Sequence, residues 1–253
     1  MKTLRDTGIV FERSFRQIVR NPVWVFVVLT QPLFYLFLFA PLLKKVTTAQ
    51  GFPPGGAYNV FVPGLLVQLA LFGSAFVGFA VIAELRFGVI ERLQVTPISR
   101  AALLLGRVCR DLVALTVQAI VIMVIALPFG LSINILDGAV TLALLILIGV
   151  TFSSVSYALG LKLRTEDALA PLLNGVVVPV LLLSGILLPL SLAPAWLRRL
   201  ADVNPLSHVV AASRALFNGD LWSVTVLRGS LVGTAMAALA VYVGVRAFRQ
   251  AAA

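Results

Sequence analysis

The stretch VFVPGLLVQLALFGSAFVGFAVIA, Val60–Ala83, sets the reading of the whole chain: 24 consecutive residues without one Asp, Glu, Lys, Arg or His. A helix that crosses a bilayer needs about 20 mostly apolar residues. Five more uncharged runs flank this one: Val23–Leu43, Leu112–Leu136, Gly138–Leu161, Ala168–Leu197 and Gly229–Val245. The last extends back across Arg228 to Leu221, with Arg228 snorkelling to the interface. Together the six uncharged runs hold 141 of 253 residues. The chain is 60% hydrophobic and only 12% charged, with a mean hydropathy of +1.04. Soluble domains are about a quarter charged, and no soluble fold could cover this much apolar surface. The expected fold is an all-α integral membrane protein of six transmembrane helices, forming a single domain over residues 1–253.

The net charge is +10, a balance that elsewhere suggests nucleic acid. Here the charges fall in the gaps between apolar runs and form no continuous basic face, which excludes nucleic acid as a partner. They obey the positive-inside rule instead. Residues 2–20 carry five Lys and Arg, and so does the connection after the second run (Arg86, Arg92, Arg100, Arg107, Arg110). Lys162, Arg164, Arg246 and Arg249 bring that side to 14, against six on the other (Lys44, Lys45, Arg198, Arg199, Arg214, Arg228). Both termini are therefore expected in the cytoplasm, which requires an even number of spans. The first run lacks a small-residue cleavage site and reads as a retained span.

Segment 1–22 is amphipathic. Leu4, Gly8, Phe11, Phe15 and Ile18 recur at spacings of three and four, with Arg13, Arg16 and Arg20 mostly off that line. Such a helix suits the interface, and Asn21-Pro22 turns the chain into the bilayer; a plain extension of the first span is the competing reading. Segment 84–100 sets Leu85, Phe87, Ile90 and Leu93 at helical spacing among charges, stops at Pro97, and offers Ser99 as a cap for the next helix. Its apolar residues either pack on the protein's own inner face or fill a partner's groove. The run from Ala168 is too long for one straight span. It is expected to end near Leu188 and to be followed by short helices that dip into the outer leaflet and return, with Trp196, Arg198 and Arg199 at the interface.

Catalytic chemistry is scarce. None of the four lysines follows a glycine, so there is no phosphate-binding loop of the Gly-Lys-Ser/Thr kind. One cysteine, Cys109, and one histidine, His208, supply neither a metal set nor a nucleophile and base. Carboxylates are confined to the ends of runs and to loops, which argues against a proton-driven carrier. Glu84 and Asp111 lie nearest the membrane, and Arg107 and Asp111, four apart, are placed to pair. The chain is read as no enzyme, with no cofactor of its own. A stand-alone secondary transporter or channel remains the alternative to an ATP-driven permease. Gln68, Phe72, Phe76, Asn174 and Ser184 are the candidates for a substrate path; inter-helix packing is the competing reading for each.

These residues together resemble the ABC-2 type permeases, in particular the drug-exporter group. The resemblance rests on Phe87-Gly88-x-x-Glu91-Arg92-Leu93-x-Val95-Thr96-Pro97-x-Ser99-Arg100, then Leu103-Leu104-Leu105-Gly106-Arg107. It continues in Ser184-Gly185-Ile186-Leu187-Leu188-Pro189-Leu190, Pro194-x-Trp196-Leu197, Asn204-Pro205-Leu206 and Arg214-Ala215-Leu216. It implies a permease of a bacterial cytoplasmic (plasma) membrane that exports a hydrophobic or amphipathic drug or lipid. A second permease subunit, identical or paralogous, and two copies of an ABC ATP-binding subunit would join it, the latter holding ATP and Mg. Residues 1–22 would be an elbow helix at the interface, marked by Arg13, Arg16 and Arg20. Spans 1–2 would cover 23–83, the coupling segment 84–100, and spans 3–4 101–161. Span 5, the re-entrant outer helices and span 6 would cover 168–247. ATPase contacts would come from Arg86, Phe87, Gly88, Ile90, Glu91, Arg92 and Leu93, with Arg164 and Glu166 as a second, smaller strip. The second and fifth spans would line the path between subunits.

Overall fold

The computed structural model describes residues 2–20, 23–39, 41, 56–89, 99–187 and 189–250, and among them every regular element is helical. Chain order gives α1 (Lys2–Arg20) and α2 (Val23–Phe34), which runs into a π turn at Tyr35–Phe39; α3 (Gly56–Ala75), α4 (Gly78–Arg86), α5 (Arg100–Ala126), α6 (Ile135–Leu163) and α7 (Glu166–Leu183) follow. Two short helices, α8 (Ala195–Val203) and α9 (Pro205–Phe217), lead to α10 (Val224–Gln250).

Among the described residues, five units are long and apolar enough to cross a bilayer: α3 with α4, then α5, α6, α7 and α10. At 1.5 Å per residue, the 27 residues of α5 and the 29 of α6 reach about 40 Å, beyond the ~30 Å hydrocarbon core. The 18 residues of α7 reach only about 27 Å, and the chain then turns at Gly185 into α8 and α9. Apolar Phe26–Leu38 is a shorter helix. Of the expected first span, Ala40, Leu42 and Leu43 lie outside the described residues.

The second uncharged run is not one straight helix. Its ladder breaks after Ala75, and α4 resumes at Gly78. Ser156 of α6 closes the gap, its hydroxyl donating to the Ala75 carbonyl while accepting the Gly78 N–H at 2.8 Å. Only glycine fits there, because a Cβ on residue 78 would sit 2.4 Å from the Ser156 carbonyl oxygen. The third uncharged run covers only part of its helix, which begins where the Ser99 cap sets it. Helix α5 starts twelve residues before Leu112 and ends at Ala126, where Pro128 and left-handed Gly130 turn the chain. Charged residues at its start are accommodated by pairing, so the uncharged run understates the helix.

Helix α3 is the centre of the bundle, packed by α2, α5, α6 and α9, with Phe61, Leu65, Leu66, Leu69 and Leu71 almost wholly buried. Helix α10 lies along α6 and α9, and α1 lies along α5. As expected, Ser99 caps α5, its hydroxyl accepting from the Ala102 N–H at 3.2 Å. The backbone N–H of Ser99 donates in turn to Asp6 of α1 at 3.1 Å, which holds the α1 helix to the start of α5.

Candidate functional site

Two regions carry the candidate residues. The first gathers at the Arg86 end of the bundle. Helix α4 closes with the N–H groups of Phe87 and Gly88 donating to Ala83 and Leu85, both at 3.1 Å, and Gly88 takes the positive φ (64°) that such an ending needs. Phe87 is 77% exposed, an unusual place for a large apolar ring. Ile90, Glu91, Arg92 and Leu93 lie outside the described residues.

Arg86 pairs with Glu166 at 3.1 Å, both half-exposed. Glu166 opens α7, and Arg164, in the left-handed conformation at φ 60°, ends α6 with its N–H on the Gly160 carbonyl. The ion pair thus joins the two strips that the sequence marks separately. Glu84 lies inside α4 rather than in a connecting segment, and it pairs with buried Arg107. The Arg107 guanidinium also sits over the Phe248 ring, 5.6 Å from its centroid.

The expected Arg107–Asp111 pair does not form. Asp111 accepts from Arg110 at 2.6 and 2.9 Å and from the Tyr157 hydroxyl at 2.6 Å. The physical reason is direction: Arg107 points to α4 and α10, where Glu84 and the Phe248 face await it, while Asp111 turns to Tyr157 of α6. Glu84 and Arg107 pair between helices and Arg110 and Asp111 pair within α5, so each of these four charges has an opposite partner.

The second region is an apolar cleft of about 340 Å³ between α2 and α3. Phe72, Phe76 and Phe79 form one face, with neighbouring ring centroids 6.0 Å apart and planes within 11° and 6° of parallel. Gln31 and Pro32 of α2 lie opposite. Gln68, 3% exposed, also lines the cleft, and its Oε1 has no hydrogen-bond partner among the described residues. A buried amide oxygen left unpaired costs about 1–3 kcal/mol. Three of the five path candidates, Gln68, Phe72 and Phe76, therefore meet. Asn174 does not join them: it is exposed on α7 and donates to the Ala170 carbonyl at 3.0 Å. Ser184 is buried at the end of α7, donating to Leu181 at 2.7 Å.

Asn204 and Arg214, which the sequence reading quoted without giving them a role, and Asn59, which it passed over, hold the Gly185 end together. Arg214 of α9 is half-buried, has no carboxylate partner among the described residues, and donates to the carbonyls of Val60 (3.0 Å), Gly185 (2.7 Å) and Ile186 (3.2 Å). Asn59 donates to Ser132 and to the Phe217 carbonyl, and Asn204 donates to the Val180 carbonyl at 2.9 Å. The signal was faint: one arginine in an otherwise apolar helical stripe.

A bundle of long apolar helices with charges paired at one end defines a multi-pass membrane protein. Residues 5–218 match the family of the ABC-2 type transporter, and the chain belongs to that family as a transport permease. A putative transport permease, ycf38, from Porphyra purpurea is 29% identical over 227 residues, covering 88% of this chain and 77% of that one. Its counterpart from Cyanophora paradoxa is 27% identical over 223 residues, 87% and 76% of the two chains. The daunorubicin resistance ABC transporter permease protein DrrB1 of Streptomyces coeruleorubidus is 27% identical over 217 residues, 80% of this chain and 72% of that one.

Proposed function

We propose that this chain is the permease subunit of an ATP-driven exporter that moves a hydrophobic or amphipathic compound out of the cytoplasm. It works with a second permease subunit, a copy or a paralogue, and with two ATP-binding subunits that hold ATP and Mg. In this reading Val23–Leu43 completes a six-span subunit of the bacterial plasma membrane with both termini cytoplasmic. Helix α1 is its interfacial elbow, and α8 and α9 are its re-entrant outer helices.

The observation that carries the reading is the Arg86–Glu166 pair. It supports one docking platform built from the segment after α4 and the start of α7. Exposed Phe87 is its apolar anchor and the segment through Leu93 its body. When the ATP-binding subunits close, force on this platform reaches α7 through Glu166, and α5 and α10 through Glu84, Arg107 and Phe248. The chain breaks no bond; it turns that displacement into exposure of a path. The cleft at Gln68, Phe72 and Phe76 suits a cargo with an apolar face and one hydrogen-bond donor. The DrrB1 relative, named for daunorubicin resistance, supports a drug-like cargo of this kind.

The test is a mild-detergent purification of the tagged chain from native membranes, with its companions identified by mass spectrometry. A stoichiometric soluble protein with a phosphate-binding loop is expected. Phe87→Ala should weaken its retention by about tenfold, the scale of an apolar anchor in an interface. Recovery of the chain alone, even after mild crosslinking, would overturn the proposal.

A further inference from the structure

The break between α3 and α4 coincides with a change of core. Phe79 and Ala80 donate to the carbonyls of Phe76 and Val77, three residues back instead of four, at 3.2 and 3.1 Å. The Ser156 hydroxyl fills the gap, bonded to the Ala75 carbonyl and to the Gly78 N–H. A side chain set into a helix ladder in this way marks a kink. Before the gap, α3 belongs as far as Ala75 to the large core of the bundle. After it, Val81 joins a separate cluster with Leu104, Tyr157 and Phe248, and Ile82 joins another with Leu169 and Leu173.

Helix α4 is therefore fastened to other helices than the hub it continues. Its start is pinned to α6 by close backbone contact: a Cβ at residue 160 would lie 2.7 Å from the Gly78 carbonyl oxygen. Its far end carries two ion pairs, Glu84 with Arg107 and Arg86 with Glu166, and then exposed Phe87. One end is pinned and the other is open to a push. The nine residues of α4 give an arm of about 13 Å. A tilt of about 10° moves its tip by about 2 Å, the size of helix shift that switching proteins use.

We propose that the break between Ala75 and Gly78 is the pivot of a coupling lever. Helix α4 swings about Ser156 and draws α7 with it through Glu166, while α3 stays in place. Ser156 is a positioning residue. Its hydroxyl satisfies the two ladder groups that the break frees, so the kink neither closes into a straight helix nor loosens. The push at Phe87 rests on the exporter reading; the pivot itself belongs to the chain alone.

Two measurements on Ser156→Ala test this, with Ser154→Ala as the control. Ser154 is buried on the same helix, and its hydroxyl has no hydrogen-bond partner among the described residues. Hydrogen–deuterium exchange of the purified full-length chain in detergent comes first. Ser156→Ala is expected to speed exchange over residues 76–86 about fivefold, the scale of one net buried hydrogen bond, and to leave residues 56–75 unchanged. Ser154→Ala should stay within about twofold throughout. Ser156→Cys, which fills the same space with a weaker donor, should fall between them. Faster exchange spread evenly over 56–86, or no change, would make α3 and α4 one body and overturn the pivot. The second measurement is dye efflux with the co-purified ATP-binding partner. Ser156→Ala is expected to keep ATP hydrolysis while exporting severalfold less dye per ATP. Hydrolysis and export falling in proportion would leave Ser156 a merely structural role and overturn the lever. Absence of ATP-dependent export by the unmodified chain would count against the exporter reading instead, and exchange would still decide the pivot.

Discussion

In α3, 17 of 20 residues are buried, and neighbours lie on every side. In α7 only Leu169, Leu173, Val177 and Leu181 are buried, a single stripe repeated every four residues. Both are apolar, proline-containing helices of nearly the same length. Composition alone would treat them alike, yet one is the hub of the subunit and the other turns most of its surface outward. A hub cannot shift without repacking everything around it. A helix held along one stripe can move against the bundle, or offer Leu172, Val176 and Leu182 to lipid or to a second subunit. In the transport cycle proposed above, α7 is the moving part and α3 the frame.

The sharpest way to break this contrast is to place the same bulk in each helix. A Cβ at Gly64 of α3 would lie 2.3 Å from the Ile186 carbonyl oxygen, whereas one at Gly175 of α7 meets nothing within 4 Å. Gly64→Leu is expected to cost about 3 kcal/mol or more, seen as loss of monodisperse protein in detergent. Gly175→Leu should stay within about 0.5 kcal/mol. Equal damage would mean that α7 is as constrained as α3.

The next effect concerns what fastens the hub to the end of α7. Arg214→Gln strips charge-assisted bonds from three carbonyls and should lower stability by about 2–3 kcal/mol. Arg228→Gln, on an exposed position of α10, should change it by less than about 0.5 kcal/mol. Thermal unfolding in detergent separates the two.

Tyr157→Phe removes one buried donor to Asp111 and should cost about 1 kcal/mol by the same assay. The smallest expected change is at Gln68. Replacing Gln68, whose buried amide oxygen has no partner among the described residues, with leucine should leave stability unchanged or raise it by up to about 1 kcal/mol, while transport falls. A loss of stability instead would make Gln68 a packing residue.

Much of the fold was legible because a bilayer imposes a simple rule: long uncharged runs become helices. Helix ends were less so. Charges at the start of α5 looked like a loop boundary, but they are paired with residues 23 and 47 positions away, and pairing at that distance leaves no local mark. The break in the second run depends on Ser156, some 80 residues away. Of the candidate path, Gln68, Phe72 and Phe76 share a face by their spacing of four and do meet. Asn174 and Ser184 do not join them, because which side of α7 faces inward is decided by packing and not by its own sequence. The Arg86–Glu166 link followed the same logic: each residue was marked, but their contact needed the fold.

The most direct test of the central claim is efflux from proteoliposomes containing the permease and its co-purified ATP-binding partner, loaded with an amphipathic fluorescent dye. An ATP-driven exporter should give transport that requires ATP and Mg, survives collapse of the proton gradient, and falls severalfold in Phe87→Ala without loss of folded protein. Transport that stops when the gradient collapses and ignores ATP would contradict it, and would make this chain a secondary carrier working alone.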